Sequence, residues 1–129
     1  MTLFSKIIAG EIPSYKIAED ENFYAFLDIN PLTKGHTLVV PKIEEDYIFN
    51  LDDKVLGNMM IFSKKVARAI EKSTPCIRVG IVVIGLEVPH AHIHLIPIEN
   101  ESDMNFKNAK LKLSPKEMTE IAEKIRSGF

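Results

Sequence analysis

Three of the four histidines stand on alternate residues in the stretch VPHAHIHLIP, Val88 to Pro97: His90, His92 and His94, with Ala91, Ile93 and Leu95 between and after them. A neutral imidazole can ligate a metal, move a proton or attack an electrophile, and the bond made by one ring nitrogen decides what the other can do. A spacing of two is the period of a β-strand, whose side chains alternate between faces. The stretch 88–97 therefore reads as a strand with three imidazoles on one face and three apolar side chains packed on the other. Neighbouring imidazoles on such a strand lie about 7 Å apart at Cβ.

Four chemistries compete for that row. A half-exposed strand could carry histidine on its polar face with no further role. Three imidazoles can hold zinc with one position open, but the outer pair on a straight strand is about 13–14 Å apart at Cβ, too far to converge on one ion. Two ligands from the strand and one from elsewhere would be needed, and no cysteine cluster or His-Glu helix motif supplies it. Nucleophilic catalysis is the third: one imidazole attacks phosphorus or a carbonyl while its neighbours hold oxygens and protonate the leaving group. A module that grips phosphate with the same donors, without turnover, is the fourth. The residues alone favour an anionic ligand and name no substrate.

The elements that must position this row can be read along the chain. Phe4, Ile7 and Ile8 have helical spacing, with Gly10 as the stop. YKIAE and FYAFLDI, separated by DEN, read as a hairpin; NPLTKG is a turn, and HTLVVPK a strand ending at Pro41. From Leu51 to Ser73, Val55, Met59, Phe62, Val66 and Ala69 recur every three or four positions, which predicts a long amphipathic helix capped by Asn50, with Asp53 in its first turn. CIRVGIVVIG is a mostly apolar strand that precedes the histidine strand. The stretch 99–113 reads as a loop with some order at Met104 and Phe106. SPKE at 114–117 is a capping box with proline at the first helical position, and opens a short C-terminal helix. Five strands, mainly in hairpins, with one long helix on a face and short helices at either end make an α+β domain.

Composition excludes little but orders the rest. At 129 residues, 46% hydrophobic and 26% charged, the chain suits a single domain spanning 1–129 with its own core. A net charge of −2 gives no general grip on nucleic acid or an anionic membrane, and no apolar run is long enough to span a bilayer. The single cysteine, Cys76, and a first segment MTLFSKIIAGEIP without signal-peptide features point to the cytoplasm.

The motif HAHIHLI resembles the His-φ-His-φ-His-φ-φ pattern (φ is apolar) of the histidine triad family of nucleotide-binding proteins. FSKIIAGEIPSYKIAEDENFYAFLDINPLTKGHTLVVPK is similar to that family's N-terminal half, so the resemblance runs from about Phe4 to Pro97. It implies a homodimer whose two five-stranded sheets join into one, and a purine nucleotide or nucleotide conjugate as ligand, with no cofactor and no metal. The reaction it implies is hydrolysis or transfer at the α-phosphate of a nucleoside phosphoramidate, dinucleoside polyphosphate or similar conjugate. His92 would be the nucleophile and carry a nucleotidyl group, with His90 and His94 orienting the site and His36 close by. Leu3, Phe4 and Ile7, with Phe26 and Ile29, would pack on the base, and Asp28 would accept from the ribose hydroxyls. Gly85, Glu87 and Val88 would border the phosphates.

Three departures from the pattern stand out. Leu86 and Glu87 occupy the places where relatives carry glutamine and a small hydroxyl residue, so two phosphate-binding donors are missing and a carboxylate faces the anion. Glu44 replaces a histidine common two positions after PK, and could orient a triad histidine instead. Thr2 and Ser5 stand where some relatives have a zinc-binding Cys-x-x-Cys, which implies that this zinc is absent.

Overall fold

A computed structural model describes residues 1–129. Five strands form one sheet: β1 (Lys16–Glu19), β2 (Phe23–Leu27), β3 (Thr37–Pro41), β4 (Arg78–Val82) and β5 (Ile93–Ile98). Their order is β1-β2-β3-β5-β4, and every neighbouring pair is antiparallel. Three helices accompany them: α1 (Leu3–Ile8), α2 (Asp53–Ser73) and α3 (Pro115–Arg126). The α+β class, the strand count and the helix count agree with the sequence.

The pleat sorts the side chains into two cores. Ala25, Val39 and Ile93 are cross-strand neighbours on one face, and with Phe23, Leu27 and Leu95 they pack under Met59, Val66 and Ile70 of α2 and Ile125 of α3. This is the apolar stripe that the α2 periodicity demanded. On the other face Phe26, Leu38 and Val40 form a smaller cluster with Tyr24 and with Phe4 and Ile7 from α1. β2 and β3 are consequently buried at every position, unlike an antiparallel strand with one wet face.

Two expectations are corrected. The cap of α2 is Asp52, whose carboxylate accepts the Val55 N–H at 2.8 Å; Asn50 instead ends a 3₁₀ turn over Ile48–Asn50. Leu51 is buried in the main core with extended backbone, so the helix can begin only after it. The histidine stretch is also not strand from Val88 to Pro97, because the regular ladder starts at Ile93, opposite Val39. Pro89 has no N–H to give, the His90 N–H turns back to the Val88 carbonyl, and the Ala91 N–H goes to the Glu45 carbonyl. The backbone of 88–92 is thus held by loop contacts, yet the alternation survives: Ala91, Ile93 and Leu95 face the main core and the histidines face the other way.

Gly35 makes the turn into β3 with φ +94°, and a Cβ there would lie 3.2 Å from both Pro97 Cγ and Thr74 Oγ1. Only glycine combines that left-handed backbone with so close an approach. The turn sets down His36, the first residue after it, beneath the histidine row.

Candidate active site

All four histidine side chains are buried, and each ring is tied by at least one nitrogen to a specific partner. Carbonyl oxygens only accept and amide N–H groups only donate, so these partners assign the tautomers. The Leu32 N–H donates to His36 Nδ1 at 3.0 Å, which leaves the His36 proton on Nε2. That Nε2–H lies 2.9 Å from His94 Nδ1 and donates to it, so His94 carries its own proton on Nε2. His92 Nδ1 lies 2.8 Å from the His90 carbonyl and must donate, which leaves an unprotonated lone pair on His92 Nε2. His90 Nε2 donates to the Pro41 carbonyl at 2.8 Å.

No fully inaccessible side-chain nitrogen or oxygen lacks a partner, and neither His92 Nε2 nor His94 Nε2 has one. Both atoms therefore open onto solvent. They do so in a cavity of about 320 Å³ lined by His36, His92 and His94, by Asp28, by Gly85 to Val88, and by Phe106 and Lys110. A lone pair stands beside an N–H donor, with the two rings 5.0 Å apart. An anion held by the donor would present its central atom to the lone pair.

Burial reinforces the neutral tautomers. It lowers His36 to about 4, with the Lys110 charge adding to the effect. It lowers His94 to about 3, helped by His92 and His36. His92 is lowered too, first by burial, against the His90 carbonyl and Glu87, which favour its charged form. Asp28 is pushed up by burial, opposed by the Asn30 N–H that it accepts at 2.8 Å and by Lys110. With His36 neutral, its 3.6 Å approach to Asp28 is not an ion pair.

Asp28, His36 and His94 bring three potential ligand atoms within 4.8 Å of one another. They do not make a good cation site, because Leu32 fixes the His36 proton on Nε2, the atom that would have to ligate. The three are a hydrogen-bonded set instead.

The structure gathers most residues singled out from the sequence. Asp28, His36, Gly85, Glu87, Val88, His92 and His94 line the cavity together. Phe4, Ile7 and Phe26 are buried beside it, with the Phe4 ring edge-on to His92 at 5.0 Å and to Phe26 at 5.5 Å. Leu3 is 46% exposed and Ile29 70% exposed, so these two offer free apolar surface where the others are already packed. His90 stays behind the cavity wall. Leu86 is 88% exposed, turned into solvent, whereas Glu87 lies close enough to act electrostatically on both His92 and Asp28.

Sequence reasoning missed Phe106, whose ring meets His94 edge-on at 4.9 Å, and Lys110, whose ammonium is held by the Phe106 and Asn108 carbonyls. An aromatic isolated in a polar stretch was the one signal available for the first. The second had none, since its place follows from the loop path, which the Leu111 N–H ties to the Pro31 carbonyl.

A five-stranded antiparallel sheet with three alternating histidines at the entry to an inner strand, wired by tautomer to a fourth, describes a histidine triad protein. The HIT domain pattern matches residues 9–101, and the chain belongs to the HIT family. It is 40% identical to a HIT-like protein of Borreliella burgdorferi, over 95% of this chain and 94% of that one. It is 35% identical to the adenosine 5'-monophosphoramidase of Schizosaccharomyces pombe, over 97% and 96% of the two chains. Among solved structures, a HIT-like protein involved in cell-cycle regulation from Bartonella henselae superposes with a TM-score of 0.85 at 28% identity, covering 99% of this chain and 96% of that one.

Proposed function

We propose that this protein is a nucleotide hydrolase or nucleotidyl transferase that acts at the α-phosphate of a nucleoside phosphoramidate or related conjugate, with His92 as nucleophile. The observation that carries the reading is the free Nε2 lone pair of His92 beside the outward N–H of His94, both open to one cavity. His92 Nε2 attacks phosphorus; the N–P bond to histidine forms as the bond to the leaving amine breaks, and the amine takes a proton at the open mouth of the site. Water then attacks the same phosphorus, its proton is lost to solvent, and the nucleoside monophosphate departs as His92 recovers its lone pair. His94 Nε2–H holds a non-bridging oxygen throughout, and the His90 carbonyl stabilises the Nδ1–H of the charged intermediate. Asp28 binds the ribose hydroxyls, and Leu3, Phe4, Ile7, Phe26 and Ile29 form the apolar side toward a purine.

Glu87 sharpens the substrate class. A carboxylate near the nucleophile repels a polyphosphate leaving group but tolerates an amine, which is neutral or cationic as it leaves. The phosphoramidase relative points the same way. Incubation with adenosine 5'-phosphoramidate is expected to release adenylate, faster than from a dinucleoside polyphosphate. His92→Ala should reduce release by at least about 10³-fold while leaving adenylate binding measurable by calorimetry. Binding of adenylate without turnover by the wild type would leave a nucleotide-binding module in place of an enzyme.

The chain also pairs with a second copy in this reading. β4 is an edge strand with Ile81 exposed, and beside it Tyr47, Phe49, Met60, Val83 and Ile84 line an apolar groove of about 890 Å³. A free edge next to an exposed apolar surface is what an isologous sheet-extending dimer would cover. His92 borders the same groove, so the partner copy would also wall the site.

A further inference from the structure

Behind the histidine row, on the side away from the cavity, four polar side chains meet from three separate parts of the chain. Thr2 Oγ1 lies 2.7 Å from His90 Nδ1 and 3.0 Å from Ser5 Oγ, and it accepts the Ser5 N–H at 3.0 Å as the cap of α1. The Ser5 hydroxyl donates to Glu44 Oε1, and the same carboxylate oxygen accepts the Thr2 N–H at 3.2 Å. The amino terminus lies 3.9 Å from that oxygen as well.

Proton counting gives this cluster a direction. The carboxylate can only accept, so the one hydroxyl proton of Ser5 goes to Glu44. His90 Nε2 must donate to the Pro41 carbonyl, so in the neutral ring Nδ1 has a lone pair. The Thr2 hydroxyl proton is then directed to His90, because the Nδ1 lone pair is a stronger acceptor than the Ser5 oxygen and lies closer, at 2.7 Å against 3.0 Å. The carbonyl of His90, in turn, is the acceptor that holds His92 Nδ1–H.

We infer that Glu44, Ser5 and Thr2 form a positioning clasp for the catalytic centre. They lock α1 to the loop before β5, hold the His90 ring where the Pro41 carbonyl sets its tautomer, and through the His90 carbonyl keep His92 with Nε2 free. Neither Glu44 nor Thr2 lines the cavity, so they act through His90 and through α1. The clasp also explains why α1 stays in place at six residues, a length at which an isolated helix does not persist. Phe4 on that helix meets both His90 and His92, so losing the clasp moves ring packing and hydrogen bonding together. Ser5 first and then Thr2 hold the Glu44 carboxyl below its ordinary range, as fits a carboxylate that accepts from both. Glu44 is exposed, so its role is acceptance and not long-range charge.

The effect on turnover rests on the nucleotidyl-histidine reading, but the clasp itself has an independent readout. Long-range proton–nitrogen NMR of histidine-labelled protein reports which nitrogen of His90 and His92 is protonated. Wild type, Thr2→Ser and Glu44→Gln are expected to show His90 protonated on Nε2 and His92 on Nδ1, since each keeps the needed hydroxyl or acceptor. Thr2→Val and Glu44→Ala are expected to show averaging between tautomers at His92, whose Nδ1–H loses a firmly placed acceptor, while Pro41 keeps the His90 proton on Nε2. On adenosine 5'-phosphoramidate, Thr2→Val should lower kcat about 10- to 100-fold with the Ser and Gln variants within about twofold of wild type. Wild-type tautomers at both rings in Thr2→Val and Glu44→Ala would overturn the inference, even if the enzyme is active. Altered tautomers in a protein with no turnover at all would support the clasp and refute the enzyme reading.

Discussion

At the scale of single residues, the proposed chemistry turns on proton placement. His92 is a nucleophile only if its proton sits on Nδ1, and His94 a donor only if its proton sits on Nε2; the His90 carbonyl and the Leu32 N–H, by way of His36, impose both. Burial keeps His36 and His94 neutral down to about 4 and about 3, against an ordinary value of 6.5. The unfolded chain takes up those protons near 6.5, so between that value and about 4 it binds more protons than the folded protein, and stability falls as pH is lowered. The urea midpoint should therefore drop between pH 7 and pH 4.5, by on the order of a few kcal/mol in unfolding free energy. His36→Asn should flatten that dependence. Activity should persist below pH 6.5, because burial lowers His92 as well and its nitrogen stays free there.

At the scale of elements, the residues chosen by periodicity went where expected, and the ends did not. The α2 stripe of Met59, Phe62, Val66 and Ala69 packs on the sheet, but the helix starts at Asp53 because Leu51 is drawn into the core. Asp52→Ala is expected to lower stability by about 1 kcal/mol, and Asn50→Ala by less than about 0.5 kcal/mol, in thermal or urea unfolding. Equal losses would show that the cap is shared. The capping box at α3, by contrast, was legible residue by residue: Ser114 and Glu117 exchange their hydrogen bonds as the motif SPKE requires. Local signals of that kind need only neighbours three positions away.

At the scale of the molecule, the antiparallel order leaves β4 as an edge and the groove beside it apolar. A second copy is the proposed occupant, because pairing two β4 edges would cover the edge and the groove together. Sedimentation velocity should find a dimer for the wild type and a monomer for Ile81→Lys, whose charge would have to be buried between edges. A wild-type monomer at micromolar concentration would dismiss the pairing.

What the amino-acid order determined by itself was the alternation of His90, His92 and His94 against Ala91, Ile93 and Leu95, the amphipathic helices, the capping box of α3, and the departures at Leu86, Glu87 and Glu44. These depend on period and on side-chain chemistry, which a linear string carries. Only the tertiary structure decided which nitrogen of each ring is free, because the partners of His90 and His94 are distant in sequence and the nearby partners of His92 and His36 are backbone groups aimed by the local chain path. His90 is held by Pro41 and Thr2, and His94 by His36. It alone also put Phe106 and Lys110 at the cavity and turned Leu86 into solvent. The row of three imidazoles could be read from spacing; its proton pattern required the folded chain, since a hydrogen bond is set by atoms that meet in space.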